Sequence, residues 1–134
     1  VGIAEQNLIG IAAGVSQFGK IPIVQSLSVF LTGRAFDQIR ESISYSSLNV
    51  KLVGLHSGFT LSPDGATHQT GEDIALMSSL PDMEIFAPAD SRQLKKLLPK
   101  NVIPAAPRVL NFLLFFDVAS IHFKLLLISS RPSC

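Results

Sequence analysis

Short apolar runs alternating with amphipathic stretches predict an α/β fold, a parallel β-sheet with helices on both faces. Two observations carry that expectation. Residues 21–24, 50–55 and 83–87 are short and apolar, as buried strands are, and helical spacing occupies the intervals between them. Those intervals are long enough for right-handed crossovers. In such sheets function gathers in the loops beyond the carboxyl ends of the strands.

Taken in order, residues 3–18 carry apolar side chains at 4, 8, 11 or 12, and 15, one face of a helix. Gly10 and Gly14 each lower its propensity by about 1 kcal/mol relative to alanine, so close packing is expected to compensate. Gly19 supplies the stop. A strand follows with Pro22 at its start. Residues 33–46 return to helical spacing, with Ala35, Phe36, Ile39 and Ile43 on one side. After the strand at 50–55 comes a loop rich in Gly, Ser, Pro and Asp, from His56 to about Gln69. A short helix over 72–80, the strand at 83–87 and a helix capped by Asp90 or Ser91 and running to Leu98 complete the alternation.

Beyond Lys100 the character changes. Residues 101–107 are rich in Pro and Ala, and 109–128 are strongly apolar. That last run has the length of a membrane span, but Asn111, Asp117, His122 and Lys124 interrupt it. A central Asp or Lys costs roughly 2.5–3.5 kcal/mol to insert, against about 0.3–0.6 returned by each Leu, Ile, Phe or Val. The sum is near zero, so a core segment or an unrelated tail is expected instead.

Composition sets the outer bounds. The 134 residues suffice for one domain, and an apolar share of 47% with 16% charged excludes a disordered chain. A net charge of +1 gives no reason to expect nucleic acid or an anionic membrane as partner. The single cysteine, Cys134, allows neither an internal disulfide nor a cysteine zinc site, and fits a reducing, cytoplasmic setting. Val1-Gly2-Ile3-Ala4-Glu5 has no initiator methionine, basic leader or apolar signal core, and reads as the interior of a longer sequence.

Several residues stand out chemically. Glu5 opens a helix, where an acid complements the dipole. Phe30 follows a strand and offers a flat aromatic face. His56, Asp64 and His68 lie 8 and 4 apart in the long loop. Imidazoles there suit phosphate binding or proton transfer near neutral pH, and a carboxylate accepts hydrogen bonds from hydroxyls. The same trio is a conceivable metal set, although no supporting shell is visible. Arg34 and Arg40 could reach phosphates, although arginine on an amphipathic helix is usually part of a solvated face.

Five motifs in order carry a resemblance: Gly2-Ile3-Ala4-Glu5-Gln6-Asn7, Gly33-Arg34-Ala35-Phe36-Asp37-Gln38-Ile39-Arg40, Asp64-Gly65-Ala66-Thr67-His68-Gln69, Glu72-Asp73-Ile74-Ala75 and Pro88-Ala89-Asp90. Together they resemble the pyrimidine-binding domain of transketolases, especially forms found as a separate C-terminal half. The resemblance runs from Val1 to about Lys96. It implies a thiamine diphosphate-binding fold of the pyrimidine type, incomplete at its N-terminus by a strand and helix. It divides the chain into a partial domain at 1–98 and an atypical apolar tail at 99–134 that ends in a family-like strand.

The resemblance also implies roles. Glu5 would hydrogen-bond N1′ of the cofactor's aminopyrimidine, and Phe30 would stack on that ring. His56 would hold the substrate phosphate, Asp64 would read a sugar hydroxyl, and His68 would lie beside the reacting carbons. Arg131, in Ile128-Ser129-Ser130-Arg131-Pro132, would contact the sugar phosphate, although it arrives about fifteen residues late. Leu27 stands where many relatives have a phenylalanine, and Pro63 where they have an acidic or small residue. The diphosphate and its Mg2+ would be held by a partner domain or subunit, since the chain has neither Gly-Asp-Gly nor GxxxxGK[ST]. The activity implied is transfer of two-carbon ketol units between sugar phosphates in a homo- or hetero-oligomer, with the isolated chain inactive. A non-catalytic relic or partner subunit is the alternative from another class. Deoxyxylulose-phosphate synthase is the alternative within the family, and His56 argues against it because that enzyme generally has arginine there.

Overall fold

The computed structural model describes residues 1–61, 63–97, 110–115 and 124–129. Helix α1 (Glu5–Gln17) leads into strand β1 (Lys20–Leu27), a π-helical turn (Val29–Arg34), the single turn α2 (Phe36–Gln38) and a second π-helical turn (Ile39–Ser44). Strand β2 (Lys51–Leu55), helix α3 (Asp73–Ser78), strand β3 (Met83–Phe86), helix α4 (Ser91–Leu97) and strands β4 (Leu110–Phe115) and β5 (Lys124–Ser129) follow. Each of the three strands expected from the sequence is present, lengthened or trimmed by a few residues.

The five strands form one sheet in the order β3-β4-β2-β1-β5. Strands β1 to β4 run parallel, and β5 joins β1 antiparallel at the edge. The α/β architecture with a parallel sheet therefore stands, with one antiparallel addition. The described parts of the apolar stretch are the two additional strands, β4 and β5. Among the described residues no helix is long and apolar enough to cross a membrane. Pro22 lies inside β1, and its ladder with β2 starts one residue later, at Ile23 with Lys51. The missing N–H of proline thus falls outside the parallel ladder.

Residues opposed across a ladder share a face, and Val24 opposes Leu52. Both are fully buried, together with Leu8, Ile9 and Ala12 of α1, Leu31, Ala35, Ile39, Ile43 and Met77. Burying each large aliphatic side chain contributes about 1.5–3 kcal/mol. The chain steps from β1 to β2 to β3 in one direction across the sheet and returns from β3 to β4.

Two local expectations are corrected. The buried face of α1 is Glu5, Leu8, Ile9, Ala12 and Ala13, turned from the 4, 8, 11 or 12, and 15 pattern. Gly10 and Gly14 consequently meet nothing: a Cβ built on either has no atom within 4 Å among the described residues. No close packing offsets their low propensity here. The expected helix over 33–46 is mostly π-helical, with Ala35 N donating to the carbonyl of Phe30 at 3.2 Å and Tyr45 N to that of Arg40 at 2.9 Å. Thr32 Oγ1 donates to the carbonyl of Ser28 at 2.9 Å, a side-chain bond that competes with the regular backbone ladder. Such widened turns recur at functional sites.

Candidate active site

Glu5 opens α1 yet is only 1% exposed, unlike an acid that merely complements a helix dipole. Its Oε2 accepts from Arg34 Nη1 at 3.1 Å. Its Oε1 is buried and has no hydrogen-bond partner among the described residues. A buried carboxylate oxygen without a donor is costly and calls for a specific explanation, a catalytic role being one. The Glu5 side chain borders a pocket of about 280 Å³ lined by Ile3, Ala4, Glu5, Gln6, Asn7 and Arg34.

Phe30 sits in the first π-helical turn, immediately beyond the carboxyl end of β1. The Arg34 guanidinium lies 4.3 Å from its ring centroid. His68 meets the same ring edge-on, with centroids 5.1 Å apart and planes at 78°. His68 returns to this place because the long loop is closed at its neck, where Thr70 N donates to the carbonyl of Gly58 at 3.1 Å. A tight turn in which His68 N donates to the carbonyl of Gly65 at 3.0 Å then sets its ring. Glu5, Arg34, Phe30 and His68 thus form one continuous line of contacts drawn from three parts of the chain.

His68 Nδ1 lies 2.9 Å from Thr67 Oγ1, which is 3.4 Å from the carbonyl of Asp64. If the hydroxyl donates to that carbonyl, Nδ1–H donates to the hydroxyl, and the Nε2 lone pair is left available. The Asp64 carboxylate is exposed. His56 directly follows β2 with φ of +54°, a left-handed conformation that a non-glycine residue holds only when its surroundings impose it. Both its ring nitrogens are buried without a partner. No hydrogen bond joins any two of His56, Asp64 and His68. Among the described residues no three His, Cys, Asp or Glu side chains gather as a metal site. Arg131 lies outside the described residues.

Asp73 ties these loops together. Its Oδ2 accepts from Ser28 Oγ at 2.7 Å and from Ser57 Oγ at 2.6 Å, and Oδ1 accepts from the N–H of Ile74 at 2.8 Å. Ser28 precedes the turn bearing Phe30, and Ser57 follows His56. One carboxylate, 3% exposed, therefore clamps the carboxyl ends of β1 and β2 to the start of α3. Asp73 belongs to a motif quoted above, but only its acidic character at a helix start was readable. The sequence left Arg34 between a phosphate contact and a solvated face, and the structure shows it against Glu5 and Phe30. Arg40 does lie on the surface, paired with Asp37 at 2.8 Å and Glu41 at 2.7 Å.

Comparison with known proteins agrees with this geometry. Residues 1–113 match the family model for the transketolase pyrimidine-binding domain. A putative transketolase C-terminal section from Methanocaldococcus jannaschii is 47% identical over 97 residues, covering 72% of this chain and 31% of that protein. A 6-deoxy-6-sulfo-D-fructose transketolase subunit SqwH from Clostridium sp. (strain MSTE9) is 40% identical over 113 residues, covering 84% of this chain and 35% of that protein. Among solved structures, a split-gene transketolase described as an inactive beta4 tetramer superposes with a TM-score of 0.73 at 41% identity, covering 92% of this chain and 39% of that one. The chain thus spans about a third of the length of the curated relatives it matches, 31% and 35%. It belongs to the transketolase pyrimidine-binding domain family.

Proposed function

We propose that this chain forms one wall of a thiamine diphosphate site in an enzyme that transfers two-carbon ketol units between sugar phosphates. The observation that carries the proposal is Glu5, buried at 1% exposure with Oε1 unpartnered, lining a pocket and linked through Arg34 to the Phe30 ring. That atom fits the cofactor: an aminopyrimidine presents a ring nitrogen able to share a proton with it, and Phe30 presents a face for stacking. When bound, thiamine diphosphate supplies a thiazolium carbon that carries the two-carbon unit.

In this reading Glu5 holds a proton at N1′ through Oε1, and Phe30 orients the ring. His68, in edge contact with Phe30, lies next to the reacting carbons and moves a proton at the substrate hydroxyl. His56 and Arg131 bind the sugar phosphate, and Asp64 accepts from a sugar hydroxyl. The two unpartnered ring nitrogens of His56 support a role that awaits a ligand. Mg2+ and the diphosphate belong to a partner domain or subunit, in a homo- or hetero-oligomer in the cytoplasm. The proposed division is a partial domain at 1–98 and an appended segment at 99–134, whose strands β4 and β5 join the sheet.

The chain alone is proposed to be inactive, in keeping with the relative whose beta-only tetramer is described as inactive. An activity assay tests this. Chain and a separately produced diphosphate-binding partner should transfer ketol units from a ketose phosphate to an aldose phosphate only when mixed. Binding to the partner with no transfer would favour the non-catalytic reading. Formation of deoxyxylulose phosphate from pyruvate would favour the synthase.

A further inference from the structure

We infer that Arg34 is a positioning residue that, with Gln6, clasps the first turn of α1 to the first π-helical turn and fixes the Glu5 carboxylate with Oε1 turned to its ligand. The inference rests on the reading of Glu5 and Phe30 given above. Three contacts of one residue converge. Arg34 Nη1 donates to Glu5 Oε2 at 3.1 Å, its guanidinium carbon lies 4.3 Å from the Phe30 centroid, and its carbonyl accepts from Gln6 Nε2 at 3.1 Å. Side chain and main chain of Arg34 thus tie together segments 28 and 29 positions apart in sequence.

A carboxylate rotates about its last bond unless one oxygen is held. Here Oε2 is held and Oε1 is buried without a partner, so Oε1 is the oxygen left for a donor. A guanidinium suits both jobs. It stacks flat on an aromatic ring while its N–H groups stay in its own plane, where a carboxylate can meet them. Lysine supplies the charge without that plane. Arg34 also compensates the desolvation of Glu5, which an uncompensated buried carboxylate would suffer in full. Its own side chain is 49% exposed, so the fold does not depend on its packing.

A competing role has the opposite sign. The guanidinium touches the same carboxylate and the same ring that an aminopyrimidine would use, so a mere placeholder would have to leave before the cofactor enters. Removing a clasp weakens binding, whereas removing a placeholder tightens it.

The experiment is calorimetric titration of thiamine diphosphate with Mg2+ into chain plus diphosphate-binding partner, alongside thermal midpoints, for wild type, Arg34→Gln, Arg34→Lys, Glu5→Gln and the double variant. The expected result is about tenfold weaker binding in Arg34→Gln, the loss of one charge-assisted hydrogen bond. Arg34→Lys should recover part of it, and Arg34→Gln should cost much less in a Glu5→Gln background. Affinity in Arg34→Gln equal to or tighter than wild type overturns the inference. If wild type takes up no cofactor, the functional reading has failed on its own. The clasp is then decided by the midpoints: non-additive shifts for Glu5→Gln and Arg34→Gln support it, and additive shifts overturn it. Should Arg34→Gln not fold, Arg34→Lys carries the same comparison.

Discussion

At the scale of single residues, burial decides what each charged group can do. Glu5 lies inside the fold with one carboxylate oxygen held by Arg34 and the other buried without a partner among the described residues. Lys51 shows the same physics without an apparent site. It is fully buried on β2, and burial pushes its pKa down to about 8, with Glu84 on β3 opposing the shift. Both residues flank the Asn111 position on β4, so they share one face of the sheet. A lysine with a lowered folded pKa binds fewer protons folded than unfolded between about 8 and the ordinary 10.5. Stability should therefore rise with pH through that window, the charge penalty being fully present below about 8. Denaturant midpoints at pH 7, 8.5 and 10 check this, and Lys51→Met should flatten the dependence.

At the scale of elements, the working parts are the joints rather than the strands. Asp73 holds two buried serine hydroxyls and one part-buried N–H, so Asp73→Ala leaves two buried hydroxyls searching for partners. The expected cost is about 2–4 kcal/mol, read as a lower urea midpoint with unchanged slope. Gly10 offers the reverse case. With open space around it and an ordinary helical backbone, Gly10→Ala should stabilise the isolated chain by about 0.5–1 kcal/mol. If the same variant weakens association with a partner, the bare face of α1 is where that partner packs.

The elements also show why some of this was legible and some was not. Strands β1, β2 and β3 announce themselves by short apolar runs, and α1 by its spacing, because local pattern reflects local burial. The π-helical turns did not show, since a widened turn changes angle without changing composition. Arg34 ends the first such turn and meets Glu5 at the start of α1. The place of β4 between β3 and β2 is a long-range pairing that no local pattern encodes. Glu5 and His68 stood out through motifs and Phe30 through the resemblance, and the structure adds that one line of contacts joins them. It does not join the His56 ring or the Asp64 carboxylate to that line.

At the scale of the whole molecule, length and surface set what the chain can do. It spans about a third of its curated relatives, 31% and 35% of their lengths, and its pocket opens at the first turn of α1 to the outside. Ile3 beside that pocket is 77% exposed, an apolar side chain at the mouth of a polar site. A partner covering it would both bury that surface and close the site against water. The account therefore predicts that cofactor binding and partner binding are coupled, each tightening the other by the same factor. Measuring partner affinity with and without thiamine diphosphate gives that factor directly.

The most direct measurement is the heat of thiamine diphosphate binding, in the presence of Mg2+, to the chain mixed with its diphosphate-binding partner, compared between wild type and Glu5→Ala. The account predicts saturable heat for wild type and at least a tenfold loss of affinity when the carboxylate is removed, since a buried charge-assisted bond is worth about 1.5–3 kcal/mol. Equal binding by both proteins, with the variant shown to be folded, would contradict the assignment of Glu5 to the aminopyrimidine and with it the central claim.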